Sequence, residues 1–167
     1  HRPQSAGWMS LCIHGISTVH TNCADDYNLP DDYEETDSHW TDIAKFCPKT
    51  VDFMENHLKY EDYTRVRFMV LLPGGWIGPH TDKDRQGFGA TNIAVNNPDG
   101  CALVMEDWGT MPFEPGAIMK INTRYNHSVW NRSDTPRVHM IVDGGMGDYF
   151  KDRCVESYKR RGGMLDI

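Results

Sequence analysis

Residues 65–82 read RVRFMVLLPGGWIGPHTD. The first eight are rich in Val, Phe and Leu, side chains that favour a pleated surface, and they spell a strand. Pro73-Gly74-Gly75 breaks it, and Trp76–Asp82 resumes as a second strand. Gly78 and Pro79 shape an unusual backbone just before His80. C-terminal to this stretch, Thr91–Val95 and Cys101–Glu106 look like a strand pair around the turn Asn96-Asn97-Pro98-Asp99-Gly100. Glu114-Pro115-Gly116 is a further turn before a strand at Ala117–Ile121. His127–Asn131 and Val138–Asp143 flank Arg132–Pro136 and read as a hairpin.

N-terminal to the stretch, Trp8–Ile16 is a short strand. The pattern from Trp40 to Leu58 is helical, and Pro48 opens a second helix because proline suits a first turn. Val51, Met54 and Leu58 then share one face. Phe150, Cys154 and Tyr158 recur every fourth residue and predict a short basic helix at the end. Helices first and then seven or eight short strands with frequent turns is the pattern of a closed or double-sheet β-structure with helical support.

The chain has 167 residues, with 24 acidic and 17 basic side chains and a formal net charge of −7. That length suits one domain over residues 1–167. No run of about eighteen apolar residues exists, so no membrane span is expected. The acidic balance argues against a nucleic-acid binder, which needs a basic face. Eight of the acids fall between Thr21 and Asp42, where there is no Lys or Arg. This segment, with Tyr27, Tyr33 and Trp40, reads as a loop. It is either a solvated loop or a lid that attracts a substrate's ammonium or guanidinium group. Five cysteines, an odd count with no C-x-x-C pair, suggest reduced thiols and a cytoplasmic protein. The sequons at Asn126 and Asn131 then read as chance matches. The first residue is His1 and no signal peptide is visible, as in a trimmed chain.

The chemistry is carried by His80-Thr81-Asp82. In a strand, residues i and i+2 point to one face, so the imidazole and the carboxylate converge on one ion. His127 from a distant strand completes two His and one carboxylate, the facial triad of non-haem Fe(II) oxygenases, which leaves positions open for substrate and oxygen. A bare H-x-D is more often two surface polar residues. Here the glycines before it and the apolar surroundings of His127 favour the metal. Arg137 lies in the apolar strand RVHMIVD (137–143) and needs an anionic partner, since burying it unpaired is costly. A dicarboxylate cosubstrate or an internal salt bridge would serve.

These residues in this order resemble the aspartyl/asparaginyl β-hydroxylase family of Fe(II)/2-oxoglutarate-dependent dioxygenases. The motifs that carry the resemblance are RFMVLLPGGWIGPHTD (67–82), EPGA (114–117), NHSVWN (126–131) and RVHMIVD (137–143). The resemblance implies a mainly β fold with flanking helices and a double-stranded β-helix core, jelly-roll and cupin-like, over about residues 62–143. It implies Fe(II) at His80, Asp82 and His127, and Arg137 holding the distal carboxylate of 2-oxoglutarate, with O2 as co-substrate. Asp82 makes the chain more similar to bacterial members, including those that hydroxylate proline, than to the animal enzyme, which has Gly there. Ala90 and Asn92 stand where the animal enzyme has an Arg and a His that contact carboxylate groups, and Met69 stands where it has a Ser. Asn92 can still donate hydrogen bonds and is a cofactor-binding candidate.

His139 shares a face with Arg137 if the 127–139 hairpin has an even register, with Val138, Met140 and Val142 on the other face. It is then a cofactor or substrate contact or a satisfied core histidine, two readings that weigh equally. Trp76 and Trp130 read as core more readily than as site residues. Arg67, Arg85 and Arg124 could hold a substrate carboxylate but read first as solvated charges, as does the basic tail Lys151–Arg161. The function expected is hydroxylation of an amino acid or small amine-containing acid, with release of succinate and CO2. The alternatives are a peptidyl Asp/Asn-type hydroxylase and a catalytically silent cupin-like binding module. A small-molecule substrate is expected ahead of a peptide, with no nucleic acid and no membrane partner; the oligomeric state is not legible.

Overall fold

The computed structural model describes residues 4–18, 38–82, 89–145 and 147–161. Nine strands occur among them: β1 (Ser5–Gly15), β2 (His39–Trp40), β3 (Arg65–His80), β4 (Thr91–Ala94), β5 (Cys101–Met105), β6 (Gly109–Thr110), β7 (Ile118–Lys120), β8 (His127–Asn131) and β9 (Arg137–Asp143). A 3-10 turn at Asp42–Phe46 leads into α1 (Pro48–Asp52), which passes into a π-helical turn at Phe53–Leu58. Pro48 opens α1 as expected, where its missing N–H costs nothing. The last element is α2 (Asp148–Arg160).

The strand order is β6-β5-β8-β3-β9-β4-β7, with β1 added on β3. β3 is one continuous strand across Pro73-Gly74-Gly75, not two, and it bends there. Gly74 has φ +71, and a Cβ on Gly75 would lie 2.7 Å from the Leu72 carbonyl oxygen. Neither position therefore accepts an ordinary side chain without strain. The first half of β3 pairs with β9, and the second half pairs with β8. The order thus falls into two antiparallel sheets folded about one bend: β3-β9-β4-β7, extended by β1, and β3-β8-β5-β6. Folded on itself in this way, the nine-stranded sheet is a double-sheet jelly roll, mainly β with flanking helices.

The two expected strand pairs are not formed. β4 pairs with β7 and β9, while β5 pairs with β6 and β8. β8 and β9 likewise lie in different sheets, each against its own half of β3. Consecutive strands alternate between sheets in a jelly roll, so Asn96–Gly100 and Arg132–Pro136 are crossovers and not hairpin turns. The face assignment for β9 holds nevertheless. Met140 and Val142 pack with Met54, Leu58 and Phe150 under the helices. Arg137 and His139 point into the barrel, against Phe113, where Leu71, Leu103, Ile121 and Val129 form a second core. Of the expected helical face at the C-terminus only Phe150 is buried; Cys154 and Tyr158 are exposed.

Candidate metal centre

Between Ile77↔Val129 and His80↔His127 the β3–β8 register slips by one residue. Ile77 and Val129 face the barrel core. Without the slip, alternation would turn His80 outward. The extra residue, a β-bulge at Gly78-Pro79, turns it inward opposite His127. Pro79 has no N–H to lose from the ladder, and the Gly78 N–H is satisfied by the Gln4 carbonyl at 2.8 Å. The two imidazole rings stand 4.2 Å apart between centroids.

Each imidazole folds back onto the carbonyl two residues before it. His80 Nδ1–H donates to Gly78 O at 2.9 Å, and His127 Nδ1–H donates to Tyr125 O at 3.0 Å. A carbonyl only accepts, so both protons sit on Nδ1 and both Nε2 lone pairs are left for a ligand. Burial lowers the pKa of His127 below the usual imidazole value; the Tyr125 carbonyl opposes this, His80 adds to it, and Asp82 opposes it. A neutral imidazole is the form that binds metal. His80 Nε2 lies 3.7 Å from Asp82 Oδ1, and the ligand atoms of His80, Asp82 and His127 are all within 4.8 Å of one another. The donor set of two neutral nitrogens and one carboxylate oxygen fits Fe(II).

Asp82 reaches the cluster differently from the expected strand geometry. β3 ends at His80, and Asp82 lies beyond it, held by its backbone N–H on the Thr123 carbonyl at 2.9 Å. The i, i+2 alternation of a strand therefore does not explain the convergence. A tie to the loop before β8 does.

Arg137 is 1% exposed at the start of β9. Its Nε donates to Asn97 Oδ1 at 2.9 Å, its Nη1 donates to His139 Nδ1 at 3.1 Å, and the guanidinium lies 4.5 Å from the Phe113 ring centre. Among the described residues it has no carboxylate partner, so the internal salt bridge is not formed there. Burial lowers its pKa to about 10. His139 is held well below the usual imidazole range by burial first and by the Arg137 and Arg67 charges second. It is neutral, and its Nδ1 lone pair fixes the guanidinium. Trp8 and Phe113 pack on its ring.

Asn92 lies on β4 and gives an N–H to its neighbour Ala90 O at 3.1 Å. Met69 is buried opposite His139. Arg67 is not a solvated charge: it is buried, and its Nη2 lies 2.8 Å from Asp143 Oδ2, with Arg65 Nε at 3.3 Å from the same oxygen. Arg124 is exposed, and Arg85 lies outside the described residues. Trp76 and Trp130 are not core; they form a cross-strand pair on the outer face of the sheet. Of the acidic segment, residues 21–37 lie outside the described residues. Trp40 packs on His14 and Tyr63 and bonds Glu55.

Sequence reasoning missed Asn97 and Phe113, two of the three groups that seat Arg137. Asn97 sits in an Asn-Asn-Pro run that signals only a turn, and a lone Phe in a loop carries no signal. It also missed Asn131, fully buried, which gives Nδ2 to Leu71 O and Thr135 O and accepts from Ser133. A buried side chain of that kind cannot carry a glycan, in keeping with a chance sequon.

The fold and the cluster define a cupin-like jelly-roll protein in which two histidines and one carboxylate converge closely enough to hold a metal ion. The chain belongs to the aspartyl/asparaginyl β-hydroxylase family, whose model matches residues 26–145. No curated protein matches it. Among solved structures it is similar to an oxidoreductase of the 2OG-Fe(II) oxygenase family from Burkholderia pseudomallei (17% identity, 86% of this chain and 74% of that one, TM-score 0.47). It is also similar to a Pseudomonas putida prolyl-4-hydroxylase (15% identity, 83% and 94%, TM-score 0.38). A third likeness is to the polyketide cyclase RemF from Streptomyces resistomycificus (18% identity, TM-score 0.39). There the match covers 47% of this chain and 51% of the cyclase, about half its length. Folds this distantly alike house many chemistries, so function is read from the site.

Proposed function

We propose that the chain is an Fe(II)/2-oxoglutarate-dependent hydroxylase of an amino acid or small amine-containing acid. The observation that carries this reading is Arg137, a buried guanidinium inside the barrel with no carboxylate partner among the described residues. An incoming carboxylate would relieve that burial, and guanidinium grips carboxylate in a two-pronged geometry. His80, Asp82 and His127 would hold Fe(II) through two Nε2 atoms and one carboxylate. Bound Fe(II) supplies the oxidative chemistry that couples decarboxylation of 2-oxoglutarate to hydroxylation, with release of succinate and CO2. Asn97, Phe113 and His139 orient Arg137, so the cosubstrate enters a pre-arranged site. Asn92 is a further contact for it. The free thiols of Cys12, Cys47, Cys101 and Cys154 support a reducing, cytoplasmic setting.

One observation favours the peptidyl alternative. Trp108 and Tyr125 meet edge-on at 4.5 Å, 55% and 44% exposed, and Tyr125 lies two residues before His127. Such a ledge suits the residues that flank a hydroxylated one in a peptide.

The test is anaerobic binding of Fe(II) and 2-oxoglutarate, followed by succinate release against amino acids and peptides. Arg137→Ala should abolish 2-oxoglutarate binding and leave Fe(II) binding intact. No 2-oxoglutarate binding in the native chain, or binding indifferent to Arg137→Ala, sinks the reading. Trp108→Ala should raise KM for peptides alone if the second reading holds.

A further inference from the structure

The outer faces of the two sheets differ. Helices cover one, through Met54, Leu58 and Phe150. The other carries a groove of about 400 Å³ on β3 and β8, lined by Trp76, Gly78, Pro79, Ser128, Trp130 and Arg132 among others. Trp76 and Trp130 are cross-strand partners, and Trp76 is 40% exposed. The guanidinium of Arg132 lies 5.2 Å from the Trp130 ring centre. Gly78 has no side chain to fill the space beside Trp76, whose ring a Cβ there would approach at 3.3 Å.

We propose that this groove binds a proline-rich segment of a partner protein in the polyproline II conformation. The hydrogen-bonding inventory makes the case. The two indoles and the guanidinium are donor-only groups, and neither indole N–H has a protein partner among the described residues. Among the described residues no carboxylate lines the groove, and its one hydroxyl, that of Ser128, donates as well as accepts. The one side-chain amide, that of Asn131, is spent on Leu71, Thr135 and Ser133. A ligand suited to such a wall offers carbonyl acceptors and few donors. Proline-rich chains do so, because proline carries a C=O and no N–H. Their apolar rings stack in aromatic-lined grooves, and the preformed helix loses little entropy on binding.

Length agrees. The wall from Gly74 to Pro79 is six residues of strand, at most roughly 20 Å before the bend at Gly74-Gly75 and the bulge at Gly78-Pro79 shorten it. That is the reach of about four to six polyproline II residues at about 3.1 Å each. The bound segment would lie on the outer face of the strands whose inner faces carry His80 and His127.

The test needs neither iron nor 2-oxoglutarate. A labelled oligoproline of about eight residues should raise fluorescence anisotropy saturably, and a Gly-Ser peptide of equal length should not. Trp76→Ala and Trp130→Ala should each weaken binding at least tenfold while Co(II) binding is kept. Of the indole N–H signals in a 15N–1H spectrum of the native chain, those of Trp76 and Trp130 should shift on titration, a readout independent of any variant. Absence of binding, equal binding of the Gly-Ser peptide, or binding that survives both substitutions overturns the proposal. So does concentration-dependent dimerisation abolished by Trp130→Ala, which would assign the face to a second copy.

Discussion

His139 makes the pH dependence of stability a direct probe of the barrel interior. It is 4% exposed and held neutral by burial and by the Arg137 and Arg67 charges. Unfolded, it would titrate near 6.5. A group whose pKa falls on folding contributes fully above its unfolded value. As pH drops below 6.5, the unfolded chain takes a proton that the folded chain refuses, and stability is lost. The slope approaches about 1.4 kcal/mol per pH unit, so this one side chain should cost about 2 kcal/mol between pH 6.5 and 5.0. His139→Asn keeps an acceptor oxygen near the place of Nδ1 for Arg137 but cannot titrate. The smaller side chain leaves a cavity whose cost does not vary with pH, so slopes and not absolute stabilities are compared. Urea unfolding at half-unit steps from pH 5.0 to 7.5 measures both. The variant should run flatter by about 2 kcal/mol across the window, with His14 and His127, also depressed by burial, contributing equally to both proteins. Parallel curves would refute a neutral, buried His139 and with it the hydrogen bond that seats Arg137.

Asp143→Asn removes the carboxylate shared by Arg65 and Arg67; a broken buried pair of this kind should cost roughly 3–5 kcal/mol in urea at pH 7. Asn131→Ala strips hydrogen-bond partners from the Leu71 carbonyl and the Ser133 N–H and should cost roughly 2–6 kcal/mol by the same assay, at about 1–3 for each group left unpaired. Asp82→Ala deletes one of three ligand groups and should abolish most of the rise in Tm that Fe(II) or Co(II) gives the native chain; an unchanged metal-induced shift would remove Asp82 from the site.

The strands were legible because each is short, apolar and bounded by Gly, Pro or Asn. Pairing was not. Thr91–Ala94 and Cys101–Met105 are close in sequence and joined by a turn-rich run, which locally spells a hairpin. What separates them is the demand of two sheets to share β3, and no window of sequence holds that information. The cluster was legible as residue types, but the strand alternation expected to bring His80 and Asp82 together does not do so. His80 faces inward through a bulge, signalled by Gly78-Pro79 but readable as a register slip only once β8 is in place. Arg137 was legible as a charge in an apolar strand. Its partners were not, since Asn97 and Phe113 come from loops brought there by the crossovers.

The charges inside the barrel separate the structural from the functional. Arg65 and Arg67 occupy one end of β3 and share Asp143, a compensation built into the chain. Arg137 sits at the other end of β9 from Asp143, opposite Leu71, with an amide, an imidazole and an aromatic ring but no anion among the described residues. An uncompensated buried ion costs several kcal/mol against a total stability of about 5–15. Nothing in the packing requires a guanidinium there, since a Leu or Met would fill the place of its stem against Phe113. Local violations of this kind are expected at functional sites. The same fold supplies a carboxylate for one arginine pair six residues along the same strand; under the proposed function, the anion that answers Arg137 is the cosubstrate carboxylate, which arrives from solution.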